Sequence, residues 1–69
     1  MTVTRFRLRE ILEEVGMSQS ELSRRSGVSF ATINRMCTNA TRQVSLDTLE
    51  RLATALRRDP TELLGRVPE

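Results

Sequence analysis

A single residue, Val28, separates the glycine that ends one predicted helix from the serine that caps the next, at Gly27-Val28-Ser29. Gly27 takes positive φ without strain, so it can stop a helix. Ser29 is of the type that caps a helix N-terminus. A joint this short has no slack and holds its two flanking helices at a fixed, near-perpendicular angle. The rest of the chain has to pack around that pair.

Apolar spacing supplies the packing partners. Between Thr4 and Val15, the residues Leu8, Ile11, Leu12 and Val15 fall at i, i+3, i+4 and i+7, one face of a helix, with Phe6 near its start and Gly16 at its end. Ser18 and Glu21 have capping-box spacing for a second helix, Gln19 to Ser26, with Leu22, Ser23 and Ser26 turned inward. A third runs from Phe30 to about Cys37. It puts Ile33, Met36 and Cys37 on one arc and Ala31, Asn34, Arg35 and Thr38 on the opposite one. Residues 38–43 are polar and aperiodic, and Asn39 is the candidate for a left-handed residue there. Ser45 caps a fourth helix to about Arg57, with Leu46, Leu49, Leu52, Ala53 and Leu56 as its stripe. Asp59, Pro60 and Glu62 signal a short fifth helix carrying Leu63 and Leu64, stopped by Gly65 and followed by a tail, 66–69. No segment has a strand pattern. The expected fold is all-α: one compact five-helix domain over residues 1–69, with a helix-turn-helix at about 18–37.

Composition narrows the chemistry. The 69 residues include eleven basic and nine acidic side chains, for a net charge of +2, and all eleven basic residues are Arg. The absence of Lys reflects genome base composition at most positions. At a few, the planar guanidinium suits phosphate and guanine recognition. Residues 1–44 hold seven Arg against four acids, and residues 45–69 hold four against five, so the positive charge lies with the helix-turn-helix. Arg57 and Arg58 suit the C-terminal dipole of the fourth helix. There is no His and a single Cys, which excludes Ser–His and Cys–His pairs and a structural zinc site. Phosphate-cradling glycine motifs are missing as well. An enzyme is therefore not expected, nor any metal, cofactor or small-molecule ligand. Cys37 reads as a small core residue. No apolar run approaches the roughly 18 residues of a membrane span, and Met1–Arg5 leads into charged residues without a signal-peptide core. With no internal disulfide available, the expected compartment is a reducing cytoplasm.

The segment Gln19-Ser-Glu-Leu-Ser-Arg-Arg-Ser-Gly-Val-Ser-Phe-Ala-Thr-Ile-Asn-Arg-Met36 resembles the helix-turn-helix of Cro/C1-type phage repressors and their bacterial relatives. The resemblance continues through Ser45–Leu56 and Asp59–Leu64 and covers roughly residues 6–65. It implies a lambda-repressor-like domain that binds duplex DNA, usually as a dimer, in a bacterial or phage-encoded regulator. Carried over residue by residue, it places Phe30, Ala31, Thr32, Asn34 and Arg35 toward base edges in the major groove. Gln19, Ser29 and Arg42 would meet the phosphate backbone. Four positions depart from the pattern. Ser23 stands where Ala is usual, and its hydroxyl is expected to bond to the Gln19 carbonyl. Asn39 stands for a frequent Gly. Leu12 and Cys37 occupy positions that hold a buried charged pair in some phage members.

Side-chain chemistry supports the same face independently. Arg35 can donate bidentately to guanine, and Asn34 can pair with adenine. Phe30 is compatible with a thymine methyl and equally with packing over the second helix. Arg24 and Arg25, and Arg5, Arg7 and Arg9, are weaker backbone candidates. The expected function is a sequence-specific regulator of transcription, acting as a repressor and as a homodimer on a palindrome. Leu63, Leu64 and Val67 are the candidate dimer interface, the alternative being that these leucines close the monomer core. A different reading is an antitoxin or protein-interaction module. The mostly polar and basic character of the face formed by Ala31, Asn34, Arg35 and Thr38 favours DNA over an apolar protein partner.

Overall fold

The computed structural model describes residues 5–41 and 43–65. Helices α1 (Leu8–Val15), α2 (Gln19–Ser26), α3 (Phe30–Cys37) and α4 (Leu46–Leu56) are followed by a 3-10 turn at Pro60–Leu63. Strands β1 (Arg5–Phe6) and β2 (Leu64–Gly65) pair antiparallel, Arg5 opposite Gly65 and Phe6 opposite Leu64.

Each helix after α1 begins on a serine. The hydroxyls of Ser18, Ser29 and Ser45 accept the amides of Glu21, Thr32 and Thr48 at 3.1, 3.2 and 3.1 Å. Each bond satisfies one amide that has no partner inside its helix, worth about 1 kcal/mol. At Ser18 the expected capping box is half formed, because the Glu21 carboxylate turns instead to Arg25, 2.7 Å away at i+4. A complete box forms at Asp59, whose carboxylate accepts the Thr61 amide while Glu62 accepts the Asp59 amide, both at 2.9 Å. The Thr61 hydroxyl and amide together hold the Asp59 carboxyl below its ordinary pKa.

Two helix ends close on left-handed residues that are not glycine, Asn39 and Arg57, each with φ 57°. At the end of α3, the Asn39 amide donates to the Met36 carbonyl at 3.2 Å and the Ala40 amide to the Arg35 carbonyl at 2.8 Å. This is the paired closure of a Schellman motif. At the end of α4, the amides of Arg57 and Arg58 donate to Thr54 and Ala53 in the same way, at 3.2 and 2.9 Å.

Leu8, Ile11, Leu22, Ile33, Met36, Leu52 and Leu63 are fully buried at the centre, one or more from every helical segment. Removing such side chains from water contributes roughly 1.5–3 kcal/mol each. Leu12 and Cys37 are both buried in this cluster.

The structure corrects several expectations. Among the described residues there are four α-helices, not five: Pro60–Leu63 is a 3-10 turn, and Leu64 leaves it to pair with β1. The first helix starts at Leu8, since Arg5 and Phe6 are extended. Two-residue strands carry no alternation to read, and their pairing joins opposite ends of the chain. Val15 and Leu46, placed on apolar stripes, are 40% and 69% exposed. Both sit at a helix terminus, where the stripe outruns the core.

Candidate nucleic-acid interface

The turn between α2 and α3 is held by side chains as well as by its glycine. Ser26 Oγ donates to the Leu22 carbonyl at 2.7 Å and accepts the Val28 amide at 3.1 Å. Ser23 Oγ donates to the Val28 carbonyl at 2.7 Å, not to Gln19 as its place in the helix suggested. The Val28 carbonyl lies between the helices, where no ladder bond takes it, so the hydroxyl meets the greater need. Both backbone groups of Val28 are thus satisfied by serines while its side chain is buried. Gly27 has φ 75°, and a Cβ there would lie 3.5 Å from the Arg51 guanidinium, itself held by Asp47 at 2.8 Å. The turn is therefore held from inside by the serine hydroxyls and approached from outside by Arg51 of α4, which packs on α2.

This anchoring presents α3 with one face buried and the other open. Ile33, Met36 and Cys37 face the core, while Phe30, Ala31, Asn34, Arg35 and Thr38 are exposed. Phe30 is 50% exposed, so half of its surface is covered and half is available, which is compatible with both readings. Thr32 is half-buried, and its hydroxyl accepts the Ser29 hydroxyl at 2.9 Å. Ser29 and Thr32 thus hold each other at the helix start. Gln19 is half-buried, and its Oε1 is buried without a hydrogen-bond partner. Arg42 and Val67 lie outside the described residues. Leu63 is fully buried and closes the monomer core, so it is not available to a dimer interface; Leu64 is half-buried.

The electrostatics of the face are simpler than the arginine count suggests. Arg25 is neutralised by Glu21. Arg5, Arg7, Arg9, Arg51 and Arg58 also have carboxylate partners within 4 Å. Among the described residues, Arg24, Arg35 and Arg57 have none, and Arg35 alone of these is on α3. The sequence did not separate Arg24 from Arg25, because Glu21 stands three residues before one and four before the other, and both are helical ion-pair spacings. Arg51 over Gly27 had no local signal, since it comes from another helix. Burial pushes the Cys37 thiol up from its ordinary pKa and Arg9 offsets part of this, so the thiol stays protonated as a core group. No helix among the described residues is long and apolar enough to cross a membrane.

A rigid helix pair that offers one polar, basic helix face defines a helix-turn-helix DNA-binding domain. The chain belongs to the Cro/C1-type helix-turn-helix DNA-binding domain family, whose pattern matches residues 7–69. Two solved structures share the fold. One is a protein from Bacteroides fragilis assigned to DNA binding, 34% identical, with a TM-score of 0.77 over 88% of this chain and 97% of its own. The other is SinR, the master regulator for biofilm formation, in complex with DNA, 26% identical, with a TM-score of 0.78 over 83% of this chain and 90% of its own. No curated protein matches the chain.

Proposed function

We propose that the protein is a sequence-specific, non-enzymatic regulator of transcription, a repressor that reads the major groove with α3 as a homodimer on a palindromic site. The observation that carries the reading is the exposed face of α3, where Asn34 and Arg35 stand open and Arg35 has no carboxylate partner among the described residues. A guanidinium free of an ion pair keeps its planar fork for guanine O6 and N7, and the Asn34 amide matches adenine N6 and N7. Phe30 and Ala31 supply apolar surface for a thymine methyl, and Thr32 sits at the edge of the same face. At the backbone, Gln19, Ser29 and Arg42 are the phosphate partners. The Gln19 amide nitrogen is the group that would donate to a phosphate oxygen. Likeness to SinR, seen bound to DNA, supports the same partner here.

One helix-turn-helix reaches few base pairs, so two copies on half-sites about 34 Å apart are expected. With Leu63 in the core, Leu64 and Val67 remain as the interface. The deciding experiment is selection of bound duplexes from a random pool, followed by sedimentation on the winner. A palindrome bound by two copies is expected. An enriched site bound by one copy would reject the dimer, and no enrichment would reject sequence-specific reading. Replacing Arg42 with Ala should weaken all duplexes alike and flatten the salt dependence by about one unit.

A further inference from the structure

We infer that Asn39 is a positioning residue for DNA reading, coupling the β1–β2 ribbon to the last turn of α3. Two roles meet at this side chain. Its backbone supplies the left-handed closure of α3, with φ 57°. Its Oδ1 accepts the Phe6 amide at 2.7 Å, a partly buried bond across 33 residues.

The ribbon explains why that amide needs a partner. The Arg7 amide donates to the Leu63 carbonyl at 2.8 Å, so Arg7 is a hydrogen-bonded position opposite Leu63. In an antiparallel pair such positions alternate, so Phe6, opposite Leu64, turns its amide away from β2. The Phe6 ring is buried, and the exposed edge of β1 would leave a donor stranded over the core. Asn39 meets that donor. A glycine closes the helix equally well but has no acceptor. The residue's second bond therefore goes beyond what the left-handed turn requires.

What the bond holds is the turn that carries Arg35. The carbonyl of Arg35 is the acceptor of the Ala40 amide in the same closure, at 2.8 Å. Frayed last turns are the usual state of short helices, and α3 has only eight residues. Fixing Asn39 from outside the helix holds Arg35 in register with the remainder of the face.

The inference rests on the DNA-reading role of α3, and its test separates the two. Asn39→Gly keeps the left-handed turn and removes the acceptor. An amide-to-ester replacement at Phe6, made by chemical synthesis, removes the donor, weakens the Arg5 carbonyl as an acceptor and leaves Asn39 intact. Neither changes charge. Each variant should bind the duplex selected by the parent chain about three- to tenfold more weakly, with an unrelated duplex changed by less than about twofold. The combined variant should be no weaker than either alone. In the ester variant the Ala40 amide should exchange with solvent faster, a readout that needs no DNA. Parent-like affinity for the selected duplex, or unchanged Ala40 exchange in the ester variant, would overturn the coupling even if melting falls. Failure of Asn39→Gly to fold at the assay temperature would also overturn it, by showing that the bond serves the whole fold. If the parent selects no duplex, the reading of α3 fails, while the exchange measurement still decides whether the ribbon holds its end.

Discussion

Arginines on the two sides of this molecule carry the same formal charge and are differently available. On the side built by β1, α1, α4 and the 3-10 turn, Arg5 and Arg7 share Glu10, Arg9 faces Glu13, Arg51 faces Asp47, and Arg58 bridges Glu14 and Glu62, leaving Arg57 without a carboxylate among the described residues. On the helix-turn-helix side only Arg25 is paired, and Arg24 and Arg35 have no carboxylate among the described residues. An ion pair a few ångströms long is nearly neutral beyond a Debye length, about 8 Å at physiological salt. An unpaired guanidinium keeps both its field and its donors. Net charge counted along the chain therefore says less about a polyanionic partner than the map of which cations already have anions.

The contrast can be broken or sharpened by substitution. The largest effect is expected at Arg35, where Ala should cost about 1–3 kcal/mol on the selected duplex and relax preference at one base position. Titration against that duplex and its single-base variants checks this, and unchanged affinity and preference would place Arg35 outside the groove. Next is Arg24, where Ala should lower affinity for every duplex by a smaller factor while Arg9→Ala leaves binding within error. If Arg9 matters as much as Arg24, pairing does not decide availability. Arg58→Ala should act on stability alone, by at most about 1 kcal/mol in denaturant melts, because exposed bridges are weak and screened. Smallest is Arg57→Gly, which relieves a left-handed residue bearing a Cβ. Relief of about 1–2 kcal/mol is opposed by glycine's greater chain entropy, so thermal melts should show a gain of a few tenths of a kcal/mol.

The same distinction separates what the sequence made legible from what it did not. Helices α2 and α3 were readable to the residue, since Ser18, Gly27 and Ser29 set their limits through local backbone chemistry. The exposed arc of α3 followed from the placement of Ile33, Met36 and Cys37. Features made by distant partners were not readable. Nothing in the dipeptide Arg5-Phe6 announces a strand, because its hydrogen bonds go to residues at the other end of the chain. Leu64 looked like a helical residue by spacing from Asp59, and tertiary pairing drew it out of the helix. Phe30 stood undecided between core and groove, because an aromatic at a helix start fits both. Leu63 looked available as an interface only while its burial was unknown.

The β1–β2 ribbon also bears on the order in which this protein assembles. It joins Phe6 to Leu64, so nearly the whole chain is the loop that must close before its strands meet. Contacts among α1, α2 and α3 ask for far shorter closures, and contacts distant in sequence form late in folding. The ribbon should be the last element to form and the first to open. Because the Phe6 amide rests on Asn39, the seam that joins the two ends of the chain is also the seam that steadies the end of α3. Local opening at that seam would release the end of α3 before the core has begun to melt.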